Sequence, residues 1–203
     1  MDPISLRQAF VVSYPIFKKR LVLFTTVLLT LFGAWVALEI VVITGQRFGI
    51  VLWSIAHLVF LIFFAGMELG FLQICFALYD GREPKFAEAF EHLALGANFL
   101  AGQILYLLMV AIGLLFLVVP GVYLGVRYSL FGLCMVAGET NLMRCFRQSA
   151  ILSSGSMRRL FWIFVVVLLF NALGASLLGL GLFITVPLSA LVVTAVFRQL
   201  KTP

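Results

Sequence analysis

Long apolar runs recur along the whole chain, and they constrain the fold more than any other feature. Each is about as long as the ~20 residues that a helix needs to cross ~30 Å of hydrocarbon. The six runs cover residues 21–44, 50–79, 98–118 and 119–138, a fifth that follows Arg158 and Arg159 to about residue 178, and a sixth that ends near residue 197. The composition agrees, since 64% of the residues are hydrophobic and 11% are charged, whereas soluble domains have about 45–50% and about 25%. The sequence predicts an all-α polytopic membrane protein, with six spans paired as three hairpins in one integral domain over residues 1–203.

The basic residues are distributed unevenly around the predicted spans. Nearly all of them flank the span ends that face one side, and Arg47 alone lies on the other side. Because Lys and Arg concentrate in cytoplasmic loops, both termini are predicted to be cytoplasmic. The formal net charge of +6 then follows from topology and from attraction to anionic lipid headgroups. It does not indicate a nucleic acid partner.

A short amphipathic segment precedes each predicted hairpin. The three segments begin with SLRQAF (5–10), KFAEAF (85–90) and NLMRCF (141–146), which divides the chain into repeat-like units at 3–80, 84–139 and 140–200. Each is predicted to be a cytoplasmic helix lying in the membrane interface. The apolar faces of these helices are Leu6, Ala9, Phe10 and Ser13; Phe86, Ala89, Phe90 and Leu93; and Leu142, Cys145, Phe146 and Ser149. Any amphipathic helix before a span gives a similar match, and this alternative stays open.

Polar residues inside the predicted spans are the candidates for a binding site. Glu68 and Arg127 each lie twelve residues from the predicted cytoplasmic end of a span, which places both about 18 Å deep at ~1.5 Å per residue. Asn171 falls at the same depth. A lone charge at the bilayer centre costs at least ~2.5–3.5 kcal/mol, so Glu68 and Arg127 are expected to face inward and pair. The alternatives are a static ion pair and a site in which Arg127 holds a lipid phosphate or another anion.

Glu39 and His57 also fall within apolar runs, but they lie near the predicted outer surface and are interpreted as interfacial. Small residues and prolines indicate close helix packing, because a missing side chain lets helices approach. The predicted packing positions are Gly66 and Gly70, Gly121 and Gly125, and the prolines Pro120 and Pro187, with Pro120-Gly121 also turning the chain between the third and fourth spans.

Four arginines flank or belong to the third amphipathic segment: Arg144, Arg147, Arg158 and Arg159. They are predicted to contact anionic headgroups at about 1 kcal/mol per base. A plain excess of cytoplasmic positive charge explains them nearly as well. A protein partner on the cytoplasmic face and a homo-oligomer both remain compatible with the sequence.

Signals of soluble enzymes are not found in the sequence, which contains no Gly-rich phosphate loop, nucleophile elbow or metal-ligand cluster. His57 and His92 are predicted on opposite sides of the membrane. The three cysteines, Cys75, Cys134 and Cys145, are interpreted as reduced structural thiols. The sequence therefore predicts no catalytic residues, cofactor or metal, and no enzymatic activity.

The segment 118–155 reads VVPGVYLGVRYSLFGLCMVAGE followed by TNLMRCFRQSAILSSG. It resembles the membrane domain of glycerophosphoryl diester phosphodiesterases and related bacterial inner-membrane families, through Pro120, Gly121, Arg127, Glu139, Ser149, Leu152 and Gly155. The resemblance implies a six-helix fold in a bacterial inner membrane. It does not imply diesterase activity, because the named enzymes catalyse in a separate soluble barrel that this sequence lacks.

Two functions fit these observations. The first is a non-enzymatic membrane module that organises lipid or binds a partner through its cytoplasmic helices. The second is a small permease or flippase-like carrier for an anionic or lipid-like substrate, with Glu68, Arg127 and Asn171 lining its site.

Overall fold

The computed structural model describes residues 5–45, 49–177 and 179–201, so the predictions for Arg47 and for the end of the fifth span at residue 178 lie outside it. The described secondary structure is helical. The α-helices are α1 Leu6–Lys19, α2 Leu21–Gly45, α3 Ile50–Tyr79, α4 Gly96–Phe116, α5 Val118–Tyr128, α6 Phe131–Val136, α7 Leu142–Ser154, α8 Met157–Ser176 and α9 Leu182–Lys201. Two short 3-10 helices, Phe86–Phe90 and Leu93–Leu95, connect α3 to α4.

Six helical stretches within the described residues are long and apolar enough to cross a membrane, which confirms the predicted all-helical class and number of spans. They are Leu21–Val41, Ile50–Tyr79, Phe86–Phe116, Val118–Val136, Met157–Ser176 and Leu182–Lys201. The helix ends predicted from the sequence agree with the structure where a local stop signal exists. At the end of α3, Gly81 takes a φ of 76° and the N–H of Arg82 bonds back to the carbonyl of Ala77, an arrangement that ends many helices.

The fourth predicted span is not one helix over residues 119–138. It consists of α5 and α6, separated by Ser129 and Leu130. The turn before it also differs from the prediction, because the extended residue is Leu117, whereas Pro120 and Gly121 lie in the first turn of α5. A proline is tolerated there because the first N–H groups of a helix have no intrahelical acceptor.

The three segments predicted to be amphipathic helices each bury a few side chains against the bundle. In α1 the buried residues are Ala9, Ser13 and Phe17, while Phe10 of the predicted face is 43% exposed. The middle segment forms the two 3-10 helices instead of an α-helix, and Ala89 is its fully buried residue. In α7 the buried face contains Cys145, Phe146, Ser149, Ala150 and Ser153.

Burial divides the bundle into two regions. The first, here called the packed layer, comprises α6, the buried faces of α1, α7 and the 3-10 helices, and the later halves of α3 and α9. The second, the apolar belt, comprises most of α2, the first half of α3, and much of α4, α5 and α8, where large apolar side chains are exposed. Helix α3 belongs to both, since most of its residues from 50 to 63 are exposed and most of those from 65 to 78 are buried.

Two salt bridges join the ends of neighbouring elements in the packed layer, Arg20–Glu83 and Arg198–Asp80. The loop after α3 thereby contacts both the start of α2 and the end of α9. All four side chains are at least partly exposed, so each pair contributes about 0–1 kcal/mol. The contacts place these chain segments at the same end of the bundle.

Candidate functional site

A cleft between α2, α3 and α9 has a volume of about 670 Å³. Its walls are almost entirely apolar, with Glu68 as the charged residue among them. The main apolar contributors are Leu28, Phe32 and Trp35 of α2, Phe64 and Phe71 of α3, and Phe183 of α9. Ligand sites of this size commonly combine an apolar lining with a few polar groups.

Glu68 lies one turn beyond Phe64 on α3, near the border between the apolar belt and the packed layer. Its Oε2 atom accepts a hydrogen bond of 2.7 Å from Nε2 of Gln103 on α4. This bond orients the carboxyl group, and the Gln103 amide brings no positive charge. Among the described residues no basic side chain forms a salt bridge with Glu68. The cleft therefore contains a carboxylate without a positive partner from the chain.

Arg127 lies in the last turn of α5 and does not meet Glu68. Its guanidinium donates a hydrogen bond to the hydroxyl of Tyr123, one turn earlier on α5, and lies 5.5 Å from the centre of that ring. The predicted ion pair between Glu68 and Arg127 is thus not formed within the described part of the chain. The two charges have separate partners on separate helices.

The backbone of Arg127 is held by α7 at the break between α5 and α6. The hydroxyls of Ser149 and Ser153 both donate to the carbonyl of Arg127, at 3.0 Å each. The N–H of Leu130 donates to the Ser149 hydroxyl at 3.2 Å. Both serines are fully buried. They satisfy backbone groups that the interrupted helix leaves free, which explains how an apolar segment tolerates a break.

This arrangement changes the depth expected for Arg127. The estimate of about 18 Å assumed one straight helix up to Glu139. Instead α7 packs against the chain at Arg127 and Leu130, and residues 131–135 of α6 are buried in the packed layer. Arg127 therefore lies where the apolar belt meets the packed layer.

Asn171 on α8 is separate from both charges. Its Nδ2 atom donates to the carbonyl of Val167 and to the hydroxyl of Ser189 on α9, at 2.9 Å each. A Cβ added to Gly174 would lie 2.4 Å from the hydroxyl of Thr185, so α8 and α9 approach closely one turn further on. Pro187 is buried within α9 beside this contact. The predicted layer of Glu68, Arg127 and Asn171 is thus distributed over three different contacts.

The glycines of the predicted packing motifs differ in how tightly they are enclosed. A Cβ on Gly66 would lie 2.8 Å from the Cα of Leu93, and one on Gly70 would lie 2.0 Å from the carbonyl oxygen of Ala89. At these two glycines the 3-10 helices pack directly on the backbone of α3. A Cβ on Gly121 would lie 2.6 Å from the backbone nitrogen of Leu114, whereas Gly125 has only ordinary contacts.

Other sequence candidates lie at the surface. Glu39 is exposed, and His57 is partly buried with its ring stacked on Trp53 at 5.5 Å between centroids. The four arginines Arg144, Arg147, Arg158 and Arg159 are all exposed. Within the ranges described, no group of His, Cys, Asp or Glu side chains is arranged to hold a metal ion.

The three cysteines are free and buried. Cys145 lies outside the spans, on α7, and its thiol donates to the carbonyl of Glu139 at 3.0 Å. Burial, together with the nearby Glu139 charge, raises the pKa of Cys145 from 9.0 to about 11. The thiol is therefore protonated at neutral pH and is a poor nucleophile.

Sequence reasoning did not identify Gln103, Tyr123 or Ser153. Gln103 is a polar residue in an apolar run, and Tyr123 precedes Arg127 by one helical turn, so both carried a usable signal. Ser153 follows Ser149 by one turn on the same face of α7. No protein-family profile, curated protein or solved structure matches the chain significantly.

Proposed function

We propose that this integral membrane protein is a non-enzymatic lipid-associating module that holds an amine-bearing lipid in the cleft between α2, α3 and α9. The acyl chain occupies the apolar cleft and the ammonium group of the lipid meets Glu68. The observation that carries this proposal is a carboxylate with no basic partner among the described residues, facing a cleft whose other walls are almost entirely apolar.

The shape and lining of the cleft support an acyl chain. Its volume of about 670 Å³ lies within the ~300–1,000 Å³ range of small-molecule sites. On α2 it extends from Leu28 to Trp35, which is about 10 Å along the helix at ~1.5 Å per residue. Lipid chains are the apolar molecules available beside exposed belt residues such as Phe32 and Trp35.

The charge of Glu68 supports an amine headgroup over an anionic one. A carboxylate in apolar surroundings is stabilised by an opposite charge or by hydrogen-bond donors, and Gln103 supplies one neutral donor. A primary ammonium supplies three more donors with a positive charge. Glu68 would repel an anionic substrate in the same cleft, which argues against the predicted anion site at Glu68, Arg127 and Asn171.

The proposal is tested by purifying the protein in lipid nanodiscs and identifying retained lipids by native mass spectrometry. Phosphatidylethanolamine and phosphatidylcholine with matched chains are supplied together. We expect the wild type to enrich phosphatidylethanolamine, and Glu68→Gln to lose that enrichment about tenfold, as expected for one charge-assisted contact. Glu39→Gln is the matched control, because it makes the same change at an exposed site on α2.

Retention of phosphatidylethanolamine at its bulk ratio by the wild type would contradict the proposal, as would unchanged enrichment in Glu68→Gln. Thermal unfolding of both variants shows whether either substitution only damages the fold. Gln103→Leu helps to distinguish a fold defect in Glu68→Gln from lost binding. It leaves the Glu68 carboxyl group in the cleft but removes the donor that orients it.

A carrier for the same lipid is the second candidate, favoured by Pro187 in the helix that forms one wall of the cleft. A proline removes a backbone hydrogen bond and allows a helix to bend. Proteoliposomes with a fluorescent phosphatidylethanolamine measure transfer between leaflets. Transfer faster than in protein-free vesicles, and lost in Glu68→Gln, would assign the carrier function. The resemblance to membrane domains of diester phosphodiesterases adds a bacterial inner membrane as the proposed setting, with both termini cytoplasmic.

A further inference from the structure

We infer that Arg127 and Tyr123 form a second lipid site, which binds the phosphate of an anionic headgroup on the outer surface of α5. Neither residue lines the Glu68 cleft. The site therefore does not depend on the occupant proposed for that cleft, and it takes a ligand of opposite charge.

The guanidinium of Arg127 has few partners within the described chain. Its bond to the Tyr123 hydroxyl is the one hydrogen bond it makes with the described residues, and Nε is buried without an acceptor there. No carboxylate in the described ranges pairs with it. Since a guanidinium has five N–H donors and stays charged, most of its hydrogen-bonding capacity remains for a ligand.

The surface around Arg127 and Tyr123 is apolar and exposed. Tyr123 is 45% exposed, and the neighbouring belt residues Val119 and Val122 are 78% and 37% exposed. An arginine beside such an apolar surface meets lipid rather than a soluble anion. The molecule that both places acyl chains against this surface and supplies a negative charge is an anionic phospholipid. Arginine binds phosphate oxygens with two parallel hydrogen bonds.

Arg127 is held at both its backbone and its side chain. Two buried hydroxyls, from Ser149 and Ser153, fix the carbonyl of Arg127. The guanidinium lies over the ring of Tyr123, which restricts its movement. An arginine held at both ends loses less freedom when it binds. Ser149 and Ser153 are in this sense positioning residues for the site.

The exposed arginines of α7 and α8 add a longer-range attraction. Arg144 and Arg147 lie on α7, whose other face holds Arg127, and Arg158 and Arg159 begin the helix that follows. Positive charge near a membrane surface concentrates anionic lipid. These side chains are exposed, so we assign them attraction and assign specific binding to Arg127.

The experiment uses the full chain in nanodiscs that contain phosphatidylglycerol and phosphatidylcholine with matched chains. Native mass spectrometry is expected to show phosphatidylglycerol enriched on the wild type, about tenfold less on Arg127→Gln, and intermediate on Arg127→Lys, which keeps the charge but not the planar fork. Arg82→Gln is the matched control, because it removes one charge from an exposed loop. We expect it to retain the wild-type enrichment.

Equal loss in Arg82→Gln and Arg127→Gln would overturn the site in favour of diffuse charge, and no enrichment on the wild type would overturn it outright. Tyr123→Phe guards against a folding defect, because it removes only the hydroxyl and is expected to weaken retention severalfold at an unchanged unfolding temperature. Inorganic phosphate added in lipid-free detergent distinguishes the source of the anion. If it raises the unfolding temperature of the wild type and not of Arg127→Gln, the ligand is a soluble phosphate and the headgroup assignment is wrong. The competition between phosphatidylethanolamine and phosphatidylcholine, repeated with Arg127→Gln, reports on the cleft separately.

Discussion

Both halves of α3 are mostly apolar, yet they have opposite surroundings. From Ile50 to Phe63 most side chains are exposed, whereas Leu69, Ile74 and Cys75 in the later half are fully buried. The difference comes from what packs on the helix. Two 3-10 helices, α6 and α9 contact the later half, and Gly66 and Gly70 allow the backbone of the 3-10 helices to approach. Apolar character alone therefore does not determine which part of a membrane helix is packed.

The packed layer and the apolar belt are held by different forces. Lipid tails are as apolar as leucine, so burial against protein gives little hydrophobic gain inside a bilayer, and packing and hydrogen bonds dominate. The packed layer contains the devices that supply them, including the glycines of α3 and the buried serines of α7. The belt contains large exposed apolar side chains. We expect substitutions to affect the two regions very differently.

The largest effect is expected for truncation in the packed half of α3. Leu69→Ala leaves a cavity at a fully buried position and should lower the free energy of unfolding by about 2–5 kcal/mol. Leu58→Ala, at a position on the same helix that is 54% exposed, should change it by about 0.5 kcal/mol or less. Unfolding by denaturant in the same detergent measures both, and equal effects would remove the distinction between the two halves.

A slightly smaller loss is expected when the contact between α3 and the 3-10 helices is blocked. A Cβ at Gly70 would lie 2.0 Å from a backbone carbonyl, so Gly70→Ala must push two backbones apart at a cost of about 1–3 kcal/mol. Gly33→Ala on α2 meets nothing within 4 Å and should be neutral or stabilising by up to about 1 kcal/mol. A stable Gly70→Ala protein would show that the 3-10 helices are not held against α3.

Next in size is the hydrogen bonding at the break of the fourth span. Ser149→Ala removes the acceptor for Leu130 N–H and one donor for the Arg127 carbonyl, so we expect a loss of about 1–2 kcal/mol. Ser154→Ala is the control, because its hydroxyl is exposed and bonds only within α7. Hydrogen exchange at Leu130 should rise in Ser149→Ala and remain unchanged in Ser154→Ala.

The last prediction concerns the reactivity of Cys145, and it involves the smallest change in the free energy of unfolding. With a pKa of about 11, Cys145 should be alkylated at pH 8 about 100-fold more slowly than a thiol with an ordinary pKa of 9.0, because the thiolate reacts. The raised pKa favours the folded state below about pH 9, and this contribution is lost as the pH rises through 11. Peptide mapping after iodoacetamide treatment measures the rate at Cys145. Rapid labelling at pH 8 would show that α7 does not stay packed.

Several parts of the structure were readable from local sequence. Asp80-Gly81 marked the end of α3 because glycine takes the positive φ that the stop requires. The middle amphipathic segment was harder. Its pattern is helical, yet Ala89 and Leu93 lie directly on Gly70 and Gly66, and this close docking of the backbone accompanies 3-10 geometry. The periodicity of side chains carries no information about such a contact.

The arrangement of the candidate site was also not predictable from residue spacing. Glu68, Arg127 and Asn171 are notable in sequence because polar groups in apolar spans need partners. Counting residues from span ends gave them one depth, but it assumed straight helices. The break at Ser129 and Leu130, and the position of α7, gave Arg127 a place apart from Glu68. Partners such as Gln103 come from a different helix, and spacing along the chain does not specify them.

By itself the sequence determined the helical class, the number of spans and the residues that are chemically unusual in lipid. Long apolar runs can satisfy their backbone in a membrane only as helices or closed barrels, and these runs have the length of helices. The tertiary structure alone decided which half of α3 is packed, where the fourth span breaks and which partner each polar side chain has. Those features depend on contacts between residues far apart in the chain, and in lipid such contacts are selected by shape and hydrogen bonding, which hydropathy does not encode.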